Sequence, residues 1–84
     1  MEPPFETADP ILAATLIASM HATLLDVDKS EPTRPVYIFI GDTVPSGAKA
    51  AFEAGSIRVD PVLFCLAQSF LRQRTEENLG GSFM

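Results

Sequence analysis

The chain contains a single thiol, Cys65, and a single imidazole, His21. These are the residue types of a nucleophile and its general base. A plainer account fits their surroundings. Cys65 sits inside "LFCLA", where a free cysteine behaves as a small buried hydrophobe, so it is expected to be buried and chemically quiet. His21 closes an apolar helix, where its partial positive charge suits the carbonyl end. Asp9 and Asp60 each precede a proline, which marks them as helix caps rather than catalytic carboxylates. No catalytic group and no enzyme activity is therefore expected. His21 and Asp42 would meet at one end of a hairpin, with Asp26 and Asp28 at its far end. Two ligands do not complete a metal site, so neither metal nor other cofactor is expected.

One stretch invites a ligand. "GDTVPSGAK" follows a strand and precedes a helix. It lacks phosphate-loop spacing, because Lys49 does not follow a glycine directly. What survives is a helix start at which Ser46, Gly47 and Lys49, helped by Arg58, would hold an anionic small molecule or nucleotide.

These residues depend on the elements that carry them. Residues 1–8 form an extended leader, kept open by Pro3 and Pro4, with Phe5 able to anchor a short edge strand. "PILAATLIASM" is a helix opened by Asp9-Pro10; its only polar residues, Thr15 and Ser19, would share one narrow exposed stripe. "HATLLDVD" and "PVYIFI" read as two strands joined by the charged, proline-containing loop 28–35. Antiparallel pairing would set Val27 opposite Val36, Leu25 opposite Ile38 and Thr23 opposite Ile40. A one-residue slip exchanges the faces. A short helix follows, capped by Ser46 and stopped by Gly55. "SIRV" reads as a short strand with Ile57 and Val59 inward. The last helix opens at Asp60-Pro61 and would bury Leu63, Leu66, Ala67, Phe70 and Leu71 on one face. Residues 75–84 lack periodicity and read as a flexible tail. The sum is one α+β domain over residues 9–74: an antiparallel sheet of two to four strands with about three helices.

The strand Val36 to Ile40 is apolar on both faces. If Val36, Ile38 and Ile40 face the helices, then Leu24, Tyr37 and Phe39 need another cover. The helices, a returning leader and tail with Phe5 and Phe83, or a second molecule would each serve. Aromatic residues are enriched at interfaces, so Leu24, Tyr37 and Phe39 are expected at a contact with another copy or another protein.

Composition bounds the class. Eighty-four residues hold one small domain, and 46% are hydrophobic, which is high for that size. Eleven acids against six bases give a net charge of −5, unsuited to direct nucleic-acid binding. One cysteine makes no internal disulfide. The N-terminal residues carry no secretory signal, and the apolar run around residues 10–20 is too short for a bilayer. A soluble, cytoplasmic protein without membrane contact is expected.

The succession "FETADPILAATLI", "LLDV", "PVYIFIGD" and "AFEAGSIRVDPVLFCLAQSFL" resembles a family of small bacterial and phage proteins known only as a domain of unknown function. The resemblance covers roughly residues 5–74 and implies a fold shared with phage or mobile-element proteins. It implies no activity and no site residues. The expected function is that of a non-enzymatic interaction protein, self-associating, of phage or mobile-element type. One alternative is an oligomeric binder that sequesters an anionic metabolite or nucleotide. Another is an acidic anti-defence inhibitor that occupies a nucleic-acid-binding protein.

Overall fold

Asp9 decides where the first helix begins. Its Oδ1 accepts from the Ile11 amide at 2.9 Å and from the Leu12 amide at 3.3 Å. Two amides with no partner inside the helix are thereby satisfied, and Pro10 supplies the first helical φ without losing a donor. The same device recurs at Asp60, whose Oδ1 accepts from Val62 N at 2.8 Å and Leu63 N at 3.4 Å. In a computed structural model, which describes residues 3–31 and 33–80, these caps open the two long helices. The elements run β1 (Phe5–Thr7), α1 (Pro10–Met20), β2 (Leu24–Asp28), β3 (Val36–Phe39), a 3-10 turn (Gly41–Thr43), α2 (Ala48–Glu53) and α3 (Pro61–Gly80). The fold is α+β, with an antiparallel three-stranded sheet ordered β1-β3-β2 and three helices. The leader thus supplies an edge strand.

The register differs from the expected one by one residue. Val27 lies opposite Tyr37, Asp28 opposite Val36 and Asp26 opposite Ile38. An irregularity between Leu24 and Asp26 brings Leu24 opposite Phe39, so Leu24 and Val27 share the face of the two aromatics. Phe5 and Thr7 of β1 join them from the other side, opposite Phe39 and Tyr37. This face forms the core with Leu12, Ala13, Ala14 and Leu16 of α1 and Ala67 and Leu71 of α3. Phe39 is 0% exposed and Tyr37 7%; Leu24 is half-buried against them. Leu24, Tyr37 and Phe39 are therefore core residues of a single chain, not an interface. The physical reason is area. Two aromatic rings bury more apolar surface than Val36 and Ile38, so the aromatic face wins the core. Val36 and Ile38 stay half-buried, and Leu25, at the irregularity, is exposed.

Other expectations are corrected by local bonding. Thr15 is buried rather than exposed, because its Oγ1 donates to Ile11 O at 2.8 Å and needs no water. Residues 56–60 form no strand: the Arg58 carbonyl accepts from Ser19 Oγ at 3.1 Å instead of from a strand partner. α2 is capped by the left-handed Gly47 with no side-chain bond, so Ser46 is not its cap. Gly55, at φ 72°, does follow its end, as a left-handed glycine should. The helix read as ending near Arg74 continues to Gly80, through good helix formers in "RQRTEENL". Lys29 Nζ, from the loop after β2, donates to the Thr75 carbonyl and ties that extension to the sheet. Pro32 and the tail residue Phe83 lie outside the described residues. Among the described residues no helix is long and apolar enough to cross a membrane.

Candidate functional site

Of the four expected ligand residues, three gather and Arg58 stands apart. Ser46, Gly47 and Lys49 line one shallow cleft with Pro3, Pro4, Phe5 and Val44. Arg58 is not part of it; it stands in the loop before α3, bonded through its carbonyl to Ser19. α2 has only six residues, too short for a developed dipole, and offers no side-chain cap. Lys49 also borders a second cleft that contains Glu53 and Asp9 as well as Arg34, so cations and carboxylates alternate there.

The thiol and the imidazole are also apart in role. His21 takes a left-handed φ of 56° and closes α1, its amide bonded to Leu16 O. It is exposed, as a C-cap should be. Cys65 is exposed rather than buried. It belongs to a helix whose core-facing line is Phe64, Ala67 and Leu71, spaced three and four apart, and it points off that line. The groove beside His21 is lined by Ile17, Ala18, Leu63, Leu66, Ala67 and Phe70, without Cys65. Among the described residues no three His, Cys, Asp or Glu side chains are placed to hold a metal ion.

What the fold does assemble is an apolar face. α3 buries Ala67 and Leu71 but leaves Val62 67%, Leu66 61%, Leu63 47% and Phe70 39% exposed. Leu63, Leu66 and Phe70 were expected inside; the helix is instead rotated so that Phe64, Ala67 and Leu71 face the core. The cause is the small α1 surface, where Ala13, Ala14 and Ala18 allow close approach and favour a small knob such as Ala67. Val62, Leu66 and Phe70 follow one another four residues apart and stack as a stripe, with Leu63 on its flank. The groove of about 240 Å³ between this stripe and the end of α1 continues the apolar surface onto Ile17 and Ala18. No residue from Pro61 to Leu71 is charged. The stripe ends beside a cation: the Arg74 guanidinium lies 5.8 Å from the centre of the Phe70 ring. Arg72 stands on another side of α3, in a cleft with Pro10, Tyr37 and Gln68.

The sequence carried a signal for this face. A surface helix normally shows one apolar stripe against a polar one. The segment "PVLFCLAQSFL" is apolar over more than one stripe, and only one stripe can meet α1. No family model, curated protein or solved structure matches the chain.

Proposed function

We propose that this chain is a non-enzymatic interaction protein, of the phage or mobile-element type that its hydrophobic pattern resembles, and that it works by docking another protein surface on the exposed face of α3. The observation that carries this reading is the uncharged stripe Val62, Leu63, Leu66 and Phe70, exposed on a helix whose opposite side already fills the core. Contiguous exposed apolar surface on a small domain marks a place where water is to be displaced by a partner. Aromatic and long aliphatic side chains at the centre, with Arg at the rim, are the composition of a binding patch. The face is rigid, since it rides on a helix held by Ala67 and Leu71 in the core and by the Lys29 bond near its far end.

Affinity capture from the native host tests this, with wild-type chain and Leu66→Glu side by side and a differently tagged copy of the chain present. Leu66 is exposed, so the charge should leave the circular dichroism spectrum unchanged. Proteins retained by the wild type, whether another copy or a different chain, should be lost from the variant. Identical capture by both would refute the proposed docking face.

A further inference from the structure

We propose that the cleft between the C-terminal half of α3 and the start of α1 binds a free α-amino acid with an apolar side chain. The cleft lies across the core-facing line of α3 from the apolar stripe, so it is separate from the docking face. Gln68, Arg72 and Glu76 recur every fourth residue and form one polar line along the helix. Pro10 and Tyr37 make the opposite wall, around a space of about 290 Å³. That is the lower end of the range for small-molecule sites, which combine apolar walls with a few convergent polar groups.

Tyr37 points to a ligand. The residue is only 7% exposed, and among the described residues nothing is hydrogen-bonded to its hydroxyl. Yet no buried side-chain oxygen among them is sealed off without a partner. The hydroxyl therefore opens into the cleft that Tyr37 lines, as a donor for whatever fills it. The two charges of the cleft are also unspent. Arg72 and Glu76 are neighbours of opposite sign on the helix, but neither forms an ion pair among the described residues. A guanidinium and a phenol together suit a carboxylate, and the Glu76 carboxylate suits an ammonium. An α-amino acid carries both on one carbon. Phosphate would satisfy Arg72 but meet Glu76 as a like charge. Pro10, Leu71 and the Tyr37 ring leave an apolar floor for the side chain. Lys29 Nζ, donating to the Thr75 carbonyl, braces this part of α3 and adds positive charge behind the carboxylate end.

Titration of the full chain with L-phenylalanine, followed through backbone amide resonances, tests this. Saturable shifts should centre on Tyr37, Gln68 and Arg72. L-Phenylalaninamide lacks the carboxylate and N-acetyl-L-phenylalanine lacks the ammonium, so each should bind about tenfold more weakly. Glycine keeps both charges without a side chain and should also bind more weakly. Arg72 is exposed, so Arg72→Gln should fold as the wild type and lose affinity about tenfold. Tyr37→Phe removes only the unpartnered hydroxyl; it should keep the thermal midpoint and weaken binding. Four results would overturn the site: no saturable shift with phenylalanine, shifts centred elsewhere, equal affinity for either blocked derivative, or undiminished affinity in Arg72→Gln. A lowered midpoint with unchanged affinity in Tyr37→Phe would also overturn it, by returning the hydroxyl to a structural role.

Discussion

Phe39 and Leu66 show how differently two large apolar residues can be used. Phe39 is fully enclosed between β1, β2 and the helices, whereas Leu66 meets solvent. Phe39→Ala should lower stability by about 3–5 kcal/mol, through lost burial and the cavity left behind. Leu66→Ala should change the stability of the monomer by less than about 0.5 kcal/mol. Urea unfolding of both in dilute solution checks the contrast, and equal losses would contradict this assignment of core and surface. A polar residue offers a second test. Asp28 Oδ1 accepts from the Ser30 hydroxyl at 2.6 Å and the Ser30 amide at 2.9 Å. These bonds favour the ionised carboxylate and hold its pKa below the ordinary 3.8. Its contribution to stability is complete above that ordinary value and is lost as pH falls through the lowered native one. Ser30→Ala should raise the Asp28 titration midpoint, which proton-detected NMR of the side chain can follow. An unmoved midpoint would show that the hydroxyl does not hold the carboxylate. Neither Cys65 nor His21 gains a role from these surroundings. Rarity in the sequence suggested chemistry for both, and the fold uses one as a surface residue and the other as a helix terminus.

At the scale of elements, what local signals control was legible and what packing controls was not. The Asp-Pro starts of α1 and α3 and the glycine after α2 are read from neighbours along the chain, and all three stand where expected. Asp9→Ala should therefore cost about 1 kcal/mol, measured as a lower urea midpoint with unchanged slope, while Asp9→Asn should cost much less. Loss of stability equal in both variants would assign Asp9 another role. The strand register and the rotation of α3 are different in kind. Val36 to Ile40 is apolar at every position, so alternation could not say which face goes inward. The choice fell to ring area against helices whose own orientation was equally open. α3 posed the same problem at helical spacing, and Ala67 rather than a leucine was chosen to meet the alanines of α1. The candidate site was missed for that reason: it is made of the residues that lost the competition for the core.

For the whole molecule, the surplus of apolar residues and the exposed face are one fact. With 84 residues the core cannot take every large apolar side chain; among those left exposed, Ile11, Leu25 and Ile40 stand apart, whereas Val62, Leu63, Leu66 and Phe70 lie together on α3. Full burial of such a side chain is worth about 1.5–3 kcal/mol, and these are already partly covered. Set against an association cost of at least about 4 kcal/mol, a protein docked on this face should be held with a dissociation constant on the order of micromolar. Equilibrium binding of a captured partner should fall in that range, and a complex that survives nanomolar dilution would require more contact than this face offers. The leader has its own consequence at this scale. β1 contributes three residues, and its pairing of Phe5 with Phe39 spans 34 positions of the chain (39 − 5). The β2–β3 hairpin closes over a far shorter loop. Short-range closure precedes long-range closure, so β1 should be the last strand to add during folding and the first to leave. Its amide protons should exchange with solvent sooner than those between β2 and β3, through a local opening that leaves the rest intact. While β1 is away, the middle strand of the sheet becomes an edge, and the backbone groups it uncovers can be claimed by any extended segment that arrives before β1 returns.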